Sequence, residues 1–208
     1  MGYRLVSFDM DGTLADSFPW FARNLNAVAD KFRFRRVAAD EIEAMRHLDT
    51  RHLLARFEIP LWKVPLIARH MRALKAQQIG EIALFPGVDG MLRDLKDAGV
   101  GIAVVTSDTE SNTRRTLGAQ NTARVDHYAC GASLFGKPAK FRQVLRRAGI
   151  AARDAIAIGD ETRDAEAARQ VGIAFGAVTW GYANVAALRA ANPEHVFFSM
   201  DEIVKTLA

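Results

Sequence analysis

The chain has 208 residues, half of them apolar and a quarter charged, which suffices for one sizeable core or a core with a small appendage. A formal charge of +4 is mild, and arginine pairs such as Arg35-Arg36, Arg114-Arg115 and Arg146-Arg147 read as solvated helix faces; nucleic-acid binding would want a continuous basic stripe or a known module. One cysteine, Cys130, excludes an internal disulfide and a cysteine-based zinc site, the opening MGYRLVSFDMDG is too soon acidic for a signal peptide, and no apolar run approaches transmembrane length, so the expectation is a soluble, cytoplasmic protein without nucleic-acid or membrane partners.

The first predicted element is a strand in LVSFD, which runs directly into three aspartates, Asp9, Asp11 and Asp16. Residues 17–84 then read as helical. Phe18, Phe21, Leu25, Val28 and Phe32 recur at helical spacing behind Ser17 as N-cap. Segments 40–48 and 50–57 read as short helices, the second capped by Thr50, and a longer helix is expected from about Val64 to Gln78. No strand signal falls in this block, so 17–84 is expected to be a small all-helical domain, with Phe85-Pro86-Gly87 marking re-entry into the larger unit formed by 1–16 and 85–208. From there short apolar runs alternate with helices: a strand in GIAVVTS (101–107), a helix over 109–118, a weaker strand at His127–Cys130 and a helix over 139–148. AIAIGD (155–160), IAFGAVTW (173–180) and HVFF (195–198) follow as strands, with helices through Ala165–Val171 and over 200–207. Apolar runs without polar alternation, joined by helices, indicate a doubly wound α/β layer of at least four parallel strands.

On this map the unusual polar residues share one edge. Asp9 and Asp11 follow the first strand, Thr106 and Ser107 the second strong one, and Asp160 the third, with Asp164 one turn beyond. In open parallel sheets, ligands bind outside the carboxyl ends of the strands. Four carboxylates gathered there need a compensating cation, and hard oxygen ligands suit Mg²⁺ rather than zinc. An EF-hand is excluded, because Gly12 stands at the fourth loop position instead of the sixth and no glutamate occupies the twelfth. Lys137, held between Gly136 and Pro138 in an expected extended or turn conformation, would be a counter-charge and a clamp on a phosphoryl group. Thr106 and Ser107 either cap the next helix or form an anion cradle with nearby backbone N–H groups. GVGIAV (99–104) precedes its strand and is no dinucleotide fingerprint, Walker A and zinc-protease patterns are absent, and the histidines are scattered.

Together, DMDGTL (9–14), VVTS (104–107), GKP (136–138) and GDETRD (159–164) resemble, in order and rough spacing, the motifs of the haloacid dehalogenase-like superfamily. The resemblance covers nearly the whole chain, and LFPGVDGMLRDLKDAGV with the late WGY (180–182) is similar to its phosphoglycolate-phosphatase-like branch. It implies a Rossmann-like core with a C1-type helical cap. It further implies Asp9 as nucleophile forming an aspartyl-phosphate, and Asp11 as acid and then base, its pKa raised by neighbouring carboxylates toward working pH. Mg²⁺ would be held by Asp9, the backbone carbonyl of Asp11 and Asp160, with Asp164 supporting from behind; Thr106 and Lys137 would grip the phosphoryl oxygens. Gly12 and Thr13 would shape the turn, Thr13 orienting the loop and Asp11. The expected activity is Mg²⁺-dependent hydrolysis of a small phosphorylated metabolite by a monomer or homodimer. A phosphomutase and a non-catalytic phosphate sensor are the alternatives; Asp11 argues against a dehalogenase. Arg46, His47 and Arg51 are the expected substrate readers of the cap, and Glu161 stands beside Asp160 where relatives more often carry an uncharged residue.

Overall fold

The computed structural model describes residues 2–38, 40–45, 48, 50–131 and 136–208, with the backbone alone at Glu43, Thr50 and Arg51. Its centre is a six-stranded parallel sheet made of β1 (Leu5–Phe8), β4 (Gly101–Val105), β5 (His127–Ala129), β6 (Ala155–Gly159), β7 (Ala174–Val178) and β8 (His195–Phe197), in the spatial order β5-β4-β1-β6-β7-β8. The chain therefore moves outward from β1 in one direction and then the other, which makes β1 the switch point where such sheets open a ligand crevice. Register aligns the ends of the three central strands: Phe8 lies beside Val104 on one side and Ile158 on the other.

Side-chain alternation assigns the two faces of the sheet. Val6, Phe8, Ile102, Val104, Ile156 and Ile158 join one cluster, packed against α5 (Val88–Asp97) and α10 (Met200–Leu207). In α5 the buried positions are Val88, Met91, Leu92 and Leu95, a stripe at the spacing a helix needs to meet a sheet. Leu5, Ala103, Ala155 and Ala157 face the other way, where α7 (Lys137–Ala148) and α8 (Thr162–Arg169) lie. The alanines in β6 let those two helices approach the sheet closely, and Phe141, Val144, Ala165 and Ala168 fill the contact.

Several expectations change in detail. The helix expected over 109–118 is α6 (Glu110–Arg124), which continues across a break at Gly118, whose φ of 74° only glycine adopts without strain. Its N-cap is Thr109, whose hydroxyl accepts from Asn112 N at 3.1 Å, so Thr106 and Ser107 do not cap it. A further helix, α9 (Val185–Ala190), lies in a stretch without an assignment from sequence.

The block 17–84 holds α1 (Phe18–Phe32), α2 (Glu41–Met45), α3 (Thr50–Arg56) and α4 (Val64–Gln77). Leu25, Val37, Met45 and Phe57 form its own apolar cluster. Glu41 ties the early part together, accepting from Arg35 Nη2 at 2.8 Å, Arg56 Nη2 at 2.7 Å and Ala38 N at 3.1 Å. The expectation that the block has no strand fails at its end: β3 (Ala83–Leu84) pairs antiparallel with β2 (Ala15–Asp16). These two-residue segments carry no periodicity to detect, and only their meeting in space creates the ribbon, which brings the entry and exit of the helical block together. Ser17 also departs from expectation. Pro19 already suits the first turn of α1, and the Ser17 hydroxyl makes no cap bond but shares a 2.5 Å hydrogen bond with the Tyr182 hydroxyl.

Candidate active site

The loop after β1 is a tight turn closed by backbone hydrogen bonds from Leu14 N and Ala15 N to Met10 O at 3.0 and 2.9 Å. It sends Asp9 and Asp11 in different directions. Asp9 is buried, and its backbone N–H donates to Ile158 O at 2.9 Å, extending the parallel ladder one residue beyond β1. Asp160 and Asp164, also buried, come from the end of β6 and the first turn of α8. Carboxylate oxygens of Asp9, Asp160 and Asp164 lie within 4.8 Å of one another.

Lys137 meets this group from the side. Its ammonium is 2.9 Å from Asp9 Oδ2 and is hydrogen bonded to Asp164 Oδ1. Instead of standing in a turn, Lys137 is the first residue of α7: Pro138 falls in the first helical turn, where its missing N–H deprives the helix of nothing. Asp160 is held differently, by neutral donors, with Thr13 Oγ1 at 2.9 Å and Tyr182 N at 2.8 Å. Thr13 thus orients Asp160 rather than Asp11. Trp180 Nε1 donates to Thr13 O at 3.1 Å, so the WGY segment after β7 braces the turn that follows β1.

Burial pushes the Asp9 carboxyl up to about 6, with Asp164 adding to the push and Lys137 opposing it. Burial likewise lifts Asp160 well above the usual carboxylate range, reinforced by Glu161, Asp9 and Asp164. A buried acid that takes hydrogen bonds from neutral donors and sits beside two further acids has the charge and the oxygen ligands that a cation requires. The residues present therefore fit a hard divalent metal. Glu161 turns to Arg163, whose Nε lies 2.5 Å from Glu161 Oε2 and whose Nη2 donates to Oε1 at 3.1 Å.

Asp11 departs from expectation. Instead of sharing the carboxylate cluster, it is paired with Lys75 from α4, Nζ to Oδ1 at 2.6 Å. Burial works to raise its pKa, but the Lys75 charge and hydrogen bond, helped by the Ser17 hydroxyl, outweigh it and hold Asp11 below the usual range. The same ammonium reaches Asp108 Oδ2 at 2.8 Å, and both of these side chains are almost wholly buried. Asp108 is positioned in turn: Asn112 Nδ2 donates to its Oδ1 at 2.9 Å and to the Arg72 carbonyl of α4 at 2.9 Å. Thr106 is buried directly after β4, its hydroxyl accepting from Asp108 N at 3.1 Å, while Ser107 lines the adjoining cavity.

Asp9, Thr13, Thr106, Lys137, Asp160 and Asp164 thus stand at the carboxyl edges of β1, β4 and β6 and the first turns of α7 and α8. Arg46 and His47 lie outside the described residues, and Arg51 falls in α3 without a described side chain. Sequence reasoning missed Lys75, Asp108 and Arg163. Asp108 and Arg163 adjoin or fall within the quoted stretches VVTS and GDETRD and were within reach; Lys75 carries no signal in its helix.

Gly12 is required twice over. Its φ is 80°, and a Cβ there would collide with the carboxylate of Asp160. Gly12→Ala is expected to cost about 1–2 kcal/mol from the left-handed backbone alone and to displace Asp160. Calorimetry and activity should both register it; a variant with wild-type turnover would show that Asp160 tolerates displacement.

A family model described as haloacid dehalogenase-like hydrolase matches residues 6–178. Among curated proteins, the phosphoglycolate phosphatase of Synechococcus elongatus is 27% identical over 203 residues, spanning 97% of this chain and 96% of its own. That of Xanthomonas campestris pv. campestris is 30% identical over 191 residues, spanning 86% and 84%. A haloacid dehalogenase-like family hydrolase from Streptococcus pneumoniae has the same fold, with a TM-score of 0.79 at 22% identity over 98% of this chain and 97% of that one. The chain belongs to the haloacid dehalogenase-like hydrolases. Within them it is a phosphatase of the phosphoglycolate-phosphatase-like branch.

Proposed function

We propose that this enzyme hydrolyses a small phosphomonoester in two steps through an aspartyl-phosphate on Asp9, with Mg²⁺ as its metal. The observation that carries the reading is the convergence of three buried carboxylates with the Lys137 ammonium at the switch point of the sheet. Asp9, Asp160 and the backbone carbonyl of Asp11 would hold the metal, Asp164 supporting them while it anchors Lys137. When bound, the metal polarises the phosphoryl oxygens and balances a site in which described carboxylates outnumber cations.

Asp9 is ionised for the most part at neutral pH, since its pKa is about 6, and its free oxygen attacks phosphorus in line with the leaving alcohol. Lys137 and the Thr106 hydroxyl, with Ser107 and the Gly12–Thr13 turn, steady the phosphoryl oxygens as charge shifts onto them. Asp11 gives its proton to the departing alkoxide. It later takes one from the water that attacks phosphorus and releases Asp9. In the arrangement seen here Lys75 keeps Asp11 as the carboxylate, so protonation for the first step requires Lys75 to yield. The block 17–84 acts as a cap that excludes water and reads the leaving group; Arg46, His47 and Arg51 remain candidate readers. The enzyme would act in the cytoplasm as a monomer or homodimer. Among the described residues no helix is long and apolar enough to cross a membrane.

The test is a screen of phosphomonoesters with added Mg²⁺, scoring inorganic phosphate against isomerised product. Phosphate release that falls to background in excess chelator and returns with Mg²⁺ is expected. Isomerised product without phosphate would make the enzyme a mutase, and full turnover in chelator would remove the metal from the mechanism.

A further inference from the structure

The helical block encloses a cavity of about 330 Å³ that opens onto the catalytic edge. Its depths are walled by apolar side chains of the helical block, among them Phe21, Leu25, Met45, Phe57 and Met71, and its mouth by Asp11 and Lys75. We propose that this cavity receives the leaving group, and that the substrate is the monophosphate ester of an uncharged, predominantly apolar alcohol. The inference rests on the reading of Asp11 as proton donor to the leaving oxygen.

Three observations support it. First, Asp11 is itself part of the cavity wall, so an oxygen within hydrogen-bond reach of Asp11 has its carbon skeleton directed into the cavity or back toward solvent. Second, polarity is graded along the same space. Lys75, Ser107 and Arg163 line the end nearest the catalytic cluster, where the phosphoryl group must lie, and hydrocarbon lines the far end. Among the described residues that far end offers no charged side chain, so a carboxylate or polyol there would lose more hydration than it regains, whereas an alkyl or aryl group gains by leaving water. Third, the lining residues Phe21, Leu53, Ile67 and Met71 are only partly buried and keep apolar surface, over a packed layer of Leu25, Met45 and Phe57. Met45 and Met71 bring to it the adaptability of the thioether chain, which suits a hydrocarbon of variable shape. The volume lies at the low end of small-molecule pockets, about 300–1,000 Å³.

The experiment measures inorganic phosphate release with Mg²⁺ from n-alkyl phosphates, ethyl through octyl, and from phosphoglycolate. The alkyl esters differ little in chemical reactivity, so differences report on the cavity. Expected is a rise in kcat/KM of roughly fourfold per methylene over the first few carbons, the factor that corresponds to burial of one CH₂, with phosphoglycolate below the longer esters. Ala68, on α4, also lines the cavity, and Ala68→Phe should lower the octyl-to-ethyl ratio by about tenfold or more as the space fills. Hydrolysis that is flat or falling with chain length overturns the inference and leaves the phosphatase reading standing, as does an unchanged ratio in Ala68→Phe. No phosphate from any ester overturns both.

Discussion

Asp9→Asn is expected to reduce phosphate release by roughly 10⁴- to 10⁶-fold, the scale on which other covalent enzymes lose their nucleophile. The physical reason is that asparagine keeps the size and one hydrogen-bonding oxygen of Asp9 but has no charge with which to attack phosphorus. Lys137 retains Asp164 as a partner in the variant, so the fold should persist and the unfolding transition remain cooperative. Mass spectrometry of the wild type quenched during turnover should find the added phosphoryl group, and the variant should lack it. Residual activity above about 1% in Asp9→Asn would move the nucleophile elsewhere.

Lys75→Met should have the largest effect on stability. The Lys75 ammonium is buried between Asp11 and Asp108, and methionine fills much the same volume without the charge. Breaking a buried pair by removing one partner costs about 3–5 kcal/mol, because the other charge stays behind unpaired. At roughly 2–4 °C per kcal/mol for a chain of this size, the unfolding midpoint should drop by about 6–20 °C. Asp108→Asn added to Lys75→Met removes the more deeply buried of the two stranded carboxylates and should recover part of the loss. An unchanged midpoint in the single variant would mean that the pair contributes nothing net. Burial alone would lower the Lys75 pKa, yet Asp11 and Asp108 raise it above its ordinary 10.5. Its contribution to stability is therefore fully present below that value and is lost only as the pH climbs through the higher folded value.

Much of the candidate site is legible in the residues. Strand ends are visible as apolar runs that stop at polar residues, and a parallel sheet brings its strand ends to one edge, so Asp9, Thr106 and Asp160 could be placed together before their distances were known. Asp164 followed from its position one turn into a helix. Lys75 could not be found this way. It stands on a helix of a separate block, 64 residues from Asp11 along the chain, and helical periodicity says which face is apolar but not which core residue that face will meet. Even the direction of the pKa shift expected for Asp11 is reversed for this reason: its neighbours in sequence are acids, whereas its neighbour in space is a buried ammonium.

The same division holds for the helical block and its cavity. Aromatic and aliphatic residues at helical spacing predict a helix with an apolar face, and both a filled core and a lined pocket satisfy that pattern. The succession of strands and helices along the chain, the gathering of Asp9, Asp160 and Asp164 at one edge of the sheet and the helical insertion were determined by the sequence itself, because they depend on local periodicity and on which residues end each strand. The partner of Asp11, the bracing of Asp160 by Thr13 and Tyr182, and the space left open beneath α1–α4 were decided only by tertiary packing, because each depends on how far two distant segments approach.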